Sequence, residues 1–184
     1  MSNYRPRIAD KMLSARLRRK GAVLVEGPKW CGKTTTAEQQ AKSVLYMSDS
    51  VRKQQYIQAA KVNVQQLLTG ATPRLIDEWQ MAPSLWDSVR FEVDHRGGFG
   101  HFILTGSSVP PSGTGRFARL KMRTMSLFES GDSTGSVSLT DLFDVRSQDL
   151  TGRSNLDINR LAYLICRGGW PGVLDLSDED ALLS

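Results

Sequence analysis

Apolar residues in this chain follow two rhythms. The runs AVLVE (Ala22–Glu26), SVLYM (Ser43–Met47), RLIDE (Arg74–Glu78) and HFILT (His101–Thr105) are short, nearly continuous and rich in branched side chains. That is the pattern of strands buried on both faces of a parallel sheet. Between them the apolar positions spread to helical spacing. Met12, Leu13 and Leu17 mark a helix over Asp10–Lys20, and Leu85, Val89 and Val93 mark another that opens at Pro83 and runs to Asp94. Lys33–Lys42, Val51–Ala60, Val64–Leu68 and Ile158–Arg167 also read as helical, with Gly21 and Gly70 as stops. The Ser-, Pro- and Gly-rich stretch Ser107–Gly115 reads as a loop, and Met122–Leu127 reads as a last strand. Alternating strands and helices predict an α/β fold with a mainly parallel sheet.

The first of these strands runs into GPKWCGKT, Gly27–Thr34. The segment fits G-x-x-x-x-G-K-[ST], a loop that cradles phosphates. Gly27 and Gly32 let the loop through Pro28, Lys29, Trp30 and Cys31 turn tightly and bring its N–H groups, which Pro28 lacks, onto anionic oxygens. Lys33 supplies a point charge for β- and γ-phosphates, Thr34 a hydroxyl for Mg²⁺, and Thr35 is counted with the loop residues as binding the nucleotide. For Trp30, a loop residue at the nucleotide, packing is preferred, and covering the nucleotide stays open.

Three further segments add chemistry. RLIDE ends an apolar strand in two acids. Asp77 suits a magnesium ion, held directly or through water, and Glu78 suits a base that polarises water for attack on a γ-phosphate. Such a glutamate argues against a kinase acting on a small acceptor. Thr105 and Ser107, at the end of the strand in FILTGSS, fall where ligands bind in open α/β sheets. Ser107 is preferred as the residue that senses the γ-phosphate. Arg116, flanked by glycine in SGTGRFARLKMR, is the candidate arginine finger, in cis or in trans, with Arg119 as the weaker choice.

Composition changes this picture little. The 184 residues include 24 Lys and Arg against 19 Asp and Glu, a net charge of +5. The surplus is spread over Arg16, Arg18, Arg19 and Lys20, and over Arg116, Arg119, Lys121 and Arg123. It keeps a nucleic-acid or protein partner open without naming one. The N-terminus carries no secretory leader pattern, and no apolar run approaches the ~18 residues of a membrane span. Two cysteines, Cys31 and Cys166, do not make a disulfide framework, so a reducing cytoplasm is expected.

Taken together, GAVLVEGPKWCGKTTTA, PRLIDEWQMAPSLWDSVR, FILTGSS, GTGRFARLKMRTMSLFES and RGGWPG resemble a prokaryotic family of AAA-type ATP-binding proteins. In that family a P-loop domain precedes a C-terminal domain of unknown function. The resemblance implies an ASCE-type P-loop NTPase, a three-layer sandwich. In that fold the strand carrying the acids is not the sequence neighbour of the P-loop strand. It also implies ATP and Mg²⁺ as ligands, with Lys33 and Thr34 as Walker A residues, Asp77 and Glu78 as Walker B residues, and Ser107 as sensor. Arg116 falls in a GxGR segment. Thr124 and Pro111 depart from the family pattern, away from the phosphates. The expected organisation is an ATPase domain over residues 1–146 and the opening of a C-terminal helical region over 147–184, since family members run longer. The expected function is magnesium-dependent ATP hydrolysis coupled to a conformational change, with a homo-oligomer open. The alternative is a nucleotide-dependent DNA- or protein-binding module with little hydrolysis of its own.

Overall fold

The computed structural model describes residues 4–107, 115–143 and 151–183. Most of the Ser107–Gly115 segment, including Pro111, and the expected division near residue 146 lie outside them. The chain divides into two compact units, Met1–Arg123 and Thr124–Ser184.

The first unit is an α/β sandwich. Its elements are α1 (Ile8–Leu17), β1 (Ala22–Glu26), α2 (Lys33–Glu38), β2 (Ser43–Tyr46), α3 (Lys53–Val62), α4 (Gln65–Leu68), β3 (Arg74–Asp77), a 3-10 turn (Trp79–Met81), α5 (Ser84–Arg96), β4 (Phe102–Gly106) and β5 (Phe117–Lys121). The five strands are all parallel, in the order β2-β3-β4-β1-β5. Strand β4 therefore lies between the strand that leads into the loop and the strand that ends in the acids.

Alternation along each strand builds two cores. Ala22, Leu24, Ile76, Phe102 and Leu104 face α3, α4 and α5, where Trp79 and Trp86 are buried with ring centroids 5.1 Å apart. Val23, Val25, Leu75 and Ile103 face α1 and α2, against Leu13, Leu17 and Ala37. The two apolar faces need two layers of helix, which explains the near-continuous apolar runs of the central strands.

The last strand corrects one sequence expectation. It occupies Phe117–Lys121, ahead of Met122–Leu127. Strand β5 is an edge strand whose buried Phe117 and Leu120 are interleaved with exposed Arg119 and Lys121, so charge masks its apolar rhythm. Leu127 instead opens a short helix, α6 (Leu127–Ser130), with Ser126 and Glu129 forming a capping box.

The second unit adds to α6 the short helices α7 (Leu139–Leu142), α8 (Ile158–Arg167) and α9 (Asp178–Leu183). One of its internal ties is electrostatic. Buried Arg167 donates to Asp132 at 2.7 Å, and Arg160 stands 3.7 Å from the same carboxylate. Burial alone would raise the Asp132 carboxyl, but the hydroxyl of Ser130, the bond from Arg167 and the two nearby guanidinium charges hold it below the usual carboxylate range.

Candidate functional site

The loop leaves β1 at Glu26, and its geometry requires two of its glycines. A Cβ on Gly27 would collide with the backbone carbonyl of Met122, and Gly32 has a left-handed φ of 95°. Between them Trp30 is also left-handed, at φ 63°. That conformation costs a bulky residue about 1–2 kcal/mol. Pro28, Lys29 and Trp30 are exposed, while Cys31 turns inward and is fully buried, its thiol pushed up by burial. Trp30 does not pack, as the sequence suggested. The residue is 81% exposed, because the backbone turn leaves the inward place to Cys31.

Lys33 is 6% exposed, and its Nζ donates to the carbonyls of Gly27 at 3.1 Å and Pro28 at 2.9 Å. Among the described residues no carboxylate lies within ion-pair reach of it. A buried ammonium normally finds a counter-ion, because desolvation costs several kcal/mol. Two carbonyl dipoles offset part of that cost. Among the described residues the third proton of the ammonium has no acceptor, and it suits an anionic oxygen. Helix α2 begins at Lys33 but is only 6 residues long, so the loop amides and this charge matter more than a helix dipole. Thr35, its third residue, is exposed.

Across β4 from the loop, Asp77 is buried and its Oδ1 accepts two hydroxyls. Thr34 Oγ1 and Thr105 Oγ1 each donate to it at 2.6 Å. Thr105 can reach it because β4 lies beside β3, with Ile76 paired to Leu104. The Thr34 hydroxyl and the Asp77 carboxylate are hard oxygen donors held together, a set that fits Mg²⁺. Glu78 follows in a left-handed conformation, φ 56° and ψ 48°, and its N–H donates to Thr105 Oγ1 at 3.3 Å. Its carboxylate accepts from the side-chain amide of Gln80.

Residues 19–130 match the family described as AAA domain, which is more than half of the chain. The chain belongs to that family. It carries a nucleotide-binding AAA-type module. No curated protein matches it. No described helix is long and apolar enough to cross a membrane.

Within this AAA domain the structure gathers Gly27, Gly32, Lys33, Thr34, Asp77 and Glu78 at the carboxyl ends of β1 and β3. Ser107 follows Gly106, which pairs with Glu26, and so stands at this same edge, while Arg116 is separated from it. Ser107 is exposed just past β4, and no bond among the described residues ties it to the acids; the hydroxyl that does so belongs to Thr105. Arg116 precedes β5, and its carbonyl accepts from the N–H of Ala22, the first residue of β1. It therefore lies at the amino end of the sheet, a strand length of ~16 Å from the loop. There it binds both oxygens of Asp94 at 2.7 Å. Arg119 is paired with Glu26 at 2.6 Å.

Sequence reasoning missed Arg7, Tyr4 and Gln80. Arg7 is buried and donates to the Cys31 carbonyl at 2.8 Å. The Tyr4 hydroxyl donates to Asp10 at 2.6 Å and lies 3.2 Å from Thr36 Oγ1. Gln80, two residues past Glu78, was legible only as a polar residue near an acid.

Proposed function

We propose that this AAA domain binds ATP with magnesium and hydrolyses it, coupling turnover to a change of conformation. The observation that carries the reading is Lys33, a buried ammonium bonded to two carbonyls of its own loop and, among the described residues, without a carboxylate partner. Lys33 and the loop amides hold the β- and γ-phosphates, and Thr34 and Asp77 hold the metal. A bound magnesium ion would neutralise charge developing on the phosphate oxygens. Thr105 keeps Asp77 aimed at Thr34. Glu78 accepts the proton of an attacking water, and Gln80 steadies its carboxylate. Ser107 is assigned the γ-phosphate sensor at the loop's open side. Arg116 lies too far from its own loop to touch the phosphates, so as an arginine finger it serves a neighbouring copy in a homo-oligomer. A cytoplasmic protein suits this activity.

The decisive experiment compares phosphate release and ATP binding in Glu78→Gln. The reading expects binding within about twofold of wild type and turnover lower by about 10²-fold or more. Unchanged turnover would remove Glu78 from the chemistry.

A second reading, a nucleotide-dependent DNA- or protein-binding module with little turnover, is favoured by exposed Arg18, Arg19, Lys121 and Arg123. Retention on DNA that falls steeply with salt, together with negligible hydrolysis, would select it.

A further inference from the structure

We infer that Arg7 is a positioning residue for the phosphate loop, fixing the direction of the Gly32 N–H from outside the family-matched segment; this rests on the reading that the loop holds a triphosphate. Arg7 is 7% exposed and stands just before α1. One guanidinium nitrogen, Nη1, donates to the Cys31 carbonyl at 2.8 Å, and the other, Nη2, donates to the Arg123 carbonyl at 2.9 Å. The planar fork thus joins the loop to the chain just after β5.

The consequence follows from the peptide bond. In a trans peptide the C=O and N–H point in opposite directions. The Cys31 carbonyl and the Gly32 N–H belong to one such plane. Holding the carbonyl toward Arg7 turns the Gly32 N–H away from Arg7. That amide immediately precedes Lys33 and is one of those that must meet a phosphate oxygen. At φ 95° Gly32 has no side chain to restrict it, so an outside anchor is needed to choose its orientation. Lysine could not serve equally, because a point ammonium lacks the rigid two-pronged geometry.

The anchor is itself anchored. The Arg7 N–H donates to Asp10 Oδ2 at 2.7 Å, and Asp10 Oδ1 accepts the Tyr4 hydroxyl, which lies 3.2 Å from Thr36 of α2. The segment Tyr4–Asp10 is therefore bonded to both the loop and the helix that follows it. The charge on Arg7 also adds to the positive potential around the loop.

The test uses the whole chain with Arg7→Ala and Arg7→Lys, and Mg-ATP titrated by calorimetry. Each variant should bind about tenfold or more weakly, the size of one charge-assisted hydrogen bond. Millimolar guanidinium should restore part of the affinity of Arg7→Ala, while methylammonium should not. Without nucleotide, the Gly32 amide resonance of Arg7→Lys should move more than the amides of α1. Wild-type affinity in both variants, or weakening that only tracks loss of folded protein and ignores guanidinium, would overturn the inference. Should Arg7→Ala not fold, the Gly32 resonance in Arg7→Lys decides alone. An unmoved resonance refutes the positioning role. A wild-type chain that binds no Mg-ATP refutes the triphosphate reading instead, and the resonance still reports whether Arg7 orients the loop.

Discussion

The two ends of the parallel sheet handle charge in opposite ways. At the amino end Arg116 meets Asp94, and the two side chains are 39% and 48% exposed. Both charges are satisfied and solvated within the chain. At the carboxyl end Lys33 and Asp77 are almost fully buried, yet neither is paired with the other. Lys33 is bonded to carbonyls, and Asp77 to hydroxyls. Two backbone positions there, Trp30 and Glu78, are left-handed without being glycine. Cost of this kind persists where a ligand recovers it, so the contrast marks the carboxyl end as the working edge.

Substitutions at the two ends should separate accordingly. Lys33→Ala should weaken nucleotide binding by about 10²-fold or more, because it removes a buried cation bonded to the loop's first carbonyls. Equilibrium titration with a fluorescent ATP analogue would show this, and near-normal affinity would erase the contrast. Next in size, Thr105→Val keeps the shape of a buried side chain but removes one hydroxyl from Asp77. It should destabilise the fold by about 1–3 kcal/mol and slow turnover about tenfold. Urea unfolding and phosphate release read the two effects. Ser107→Ala should also slow turnover, and unchanged phosphate release in that variant would remove the sensor role from Ser107. Arg116→Ala should cost less than about 1 kcal/mol, since exposed ion pairs contribute little, and should leave ATP affinity of a single chain unchanged. Mixing it with Glu78→Gln protein tests action in trans: recovered hydrolysis supports it, and no recovery argues against it.

The smallest effect concerns the N-terminal segment. Burial, then the bond to Asp10, pushes the Tyr4 hydroxyl up from 10.0 to about 12. The folded state therefore keeps this proton where the unfolded chain loses it. That contribution is whole below pH 10 and disappears as pH rises to about 12. Tyr46, raised to about 12 first by its bond to Glu38, behaves likewise. Tyr4→Phe should make the alkaline fall in stability shallower, leaving the share due to Tyr46. An identical fall in both proteins would mean that Tyr4 is not held as described.

Much of the carboxyl edge was legible in the chain itself. Strands β1, β3 and β4 are buried on both faces, so their apolar runs are unbroken, and the loop and the acids sit directly at their ends. Strand β5 was displaced because an edge strand alternates with charge. Hydroxyls at the end of β4 were foreseen, but choosing between Thr105 and Ser107 depends on which one turns toward the neighbouring β3. Arg116 looked like a finger because glycine flanks it. Only the parallel pairing of Ala22 with Phe117 puts it at the far end of the sheet. Arg7 left no local signal, since its partners are main-chain carbonyls 24 and 116 residues away.

The central claim is that the carboxyl edge is built for a triphosphate with magnesium. Calorimetric titration of the wild-type chain with ATP, with and without magnesium, tests it most directly. The account predicts one site per chain, tightened by magnesium and insensitive to the loss of Arg116. No heat of binding in either condition, or binding indifferent to magnesium and to the loss of Lys33, would contradict it.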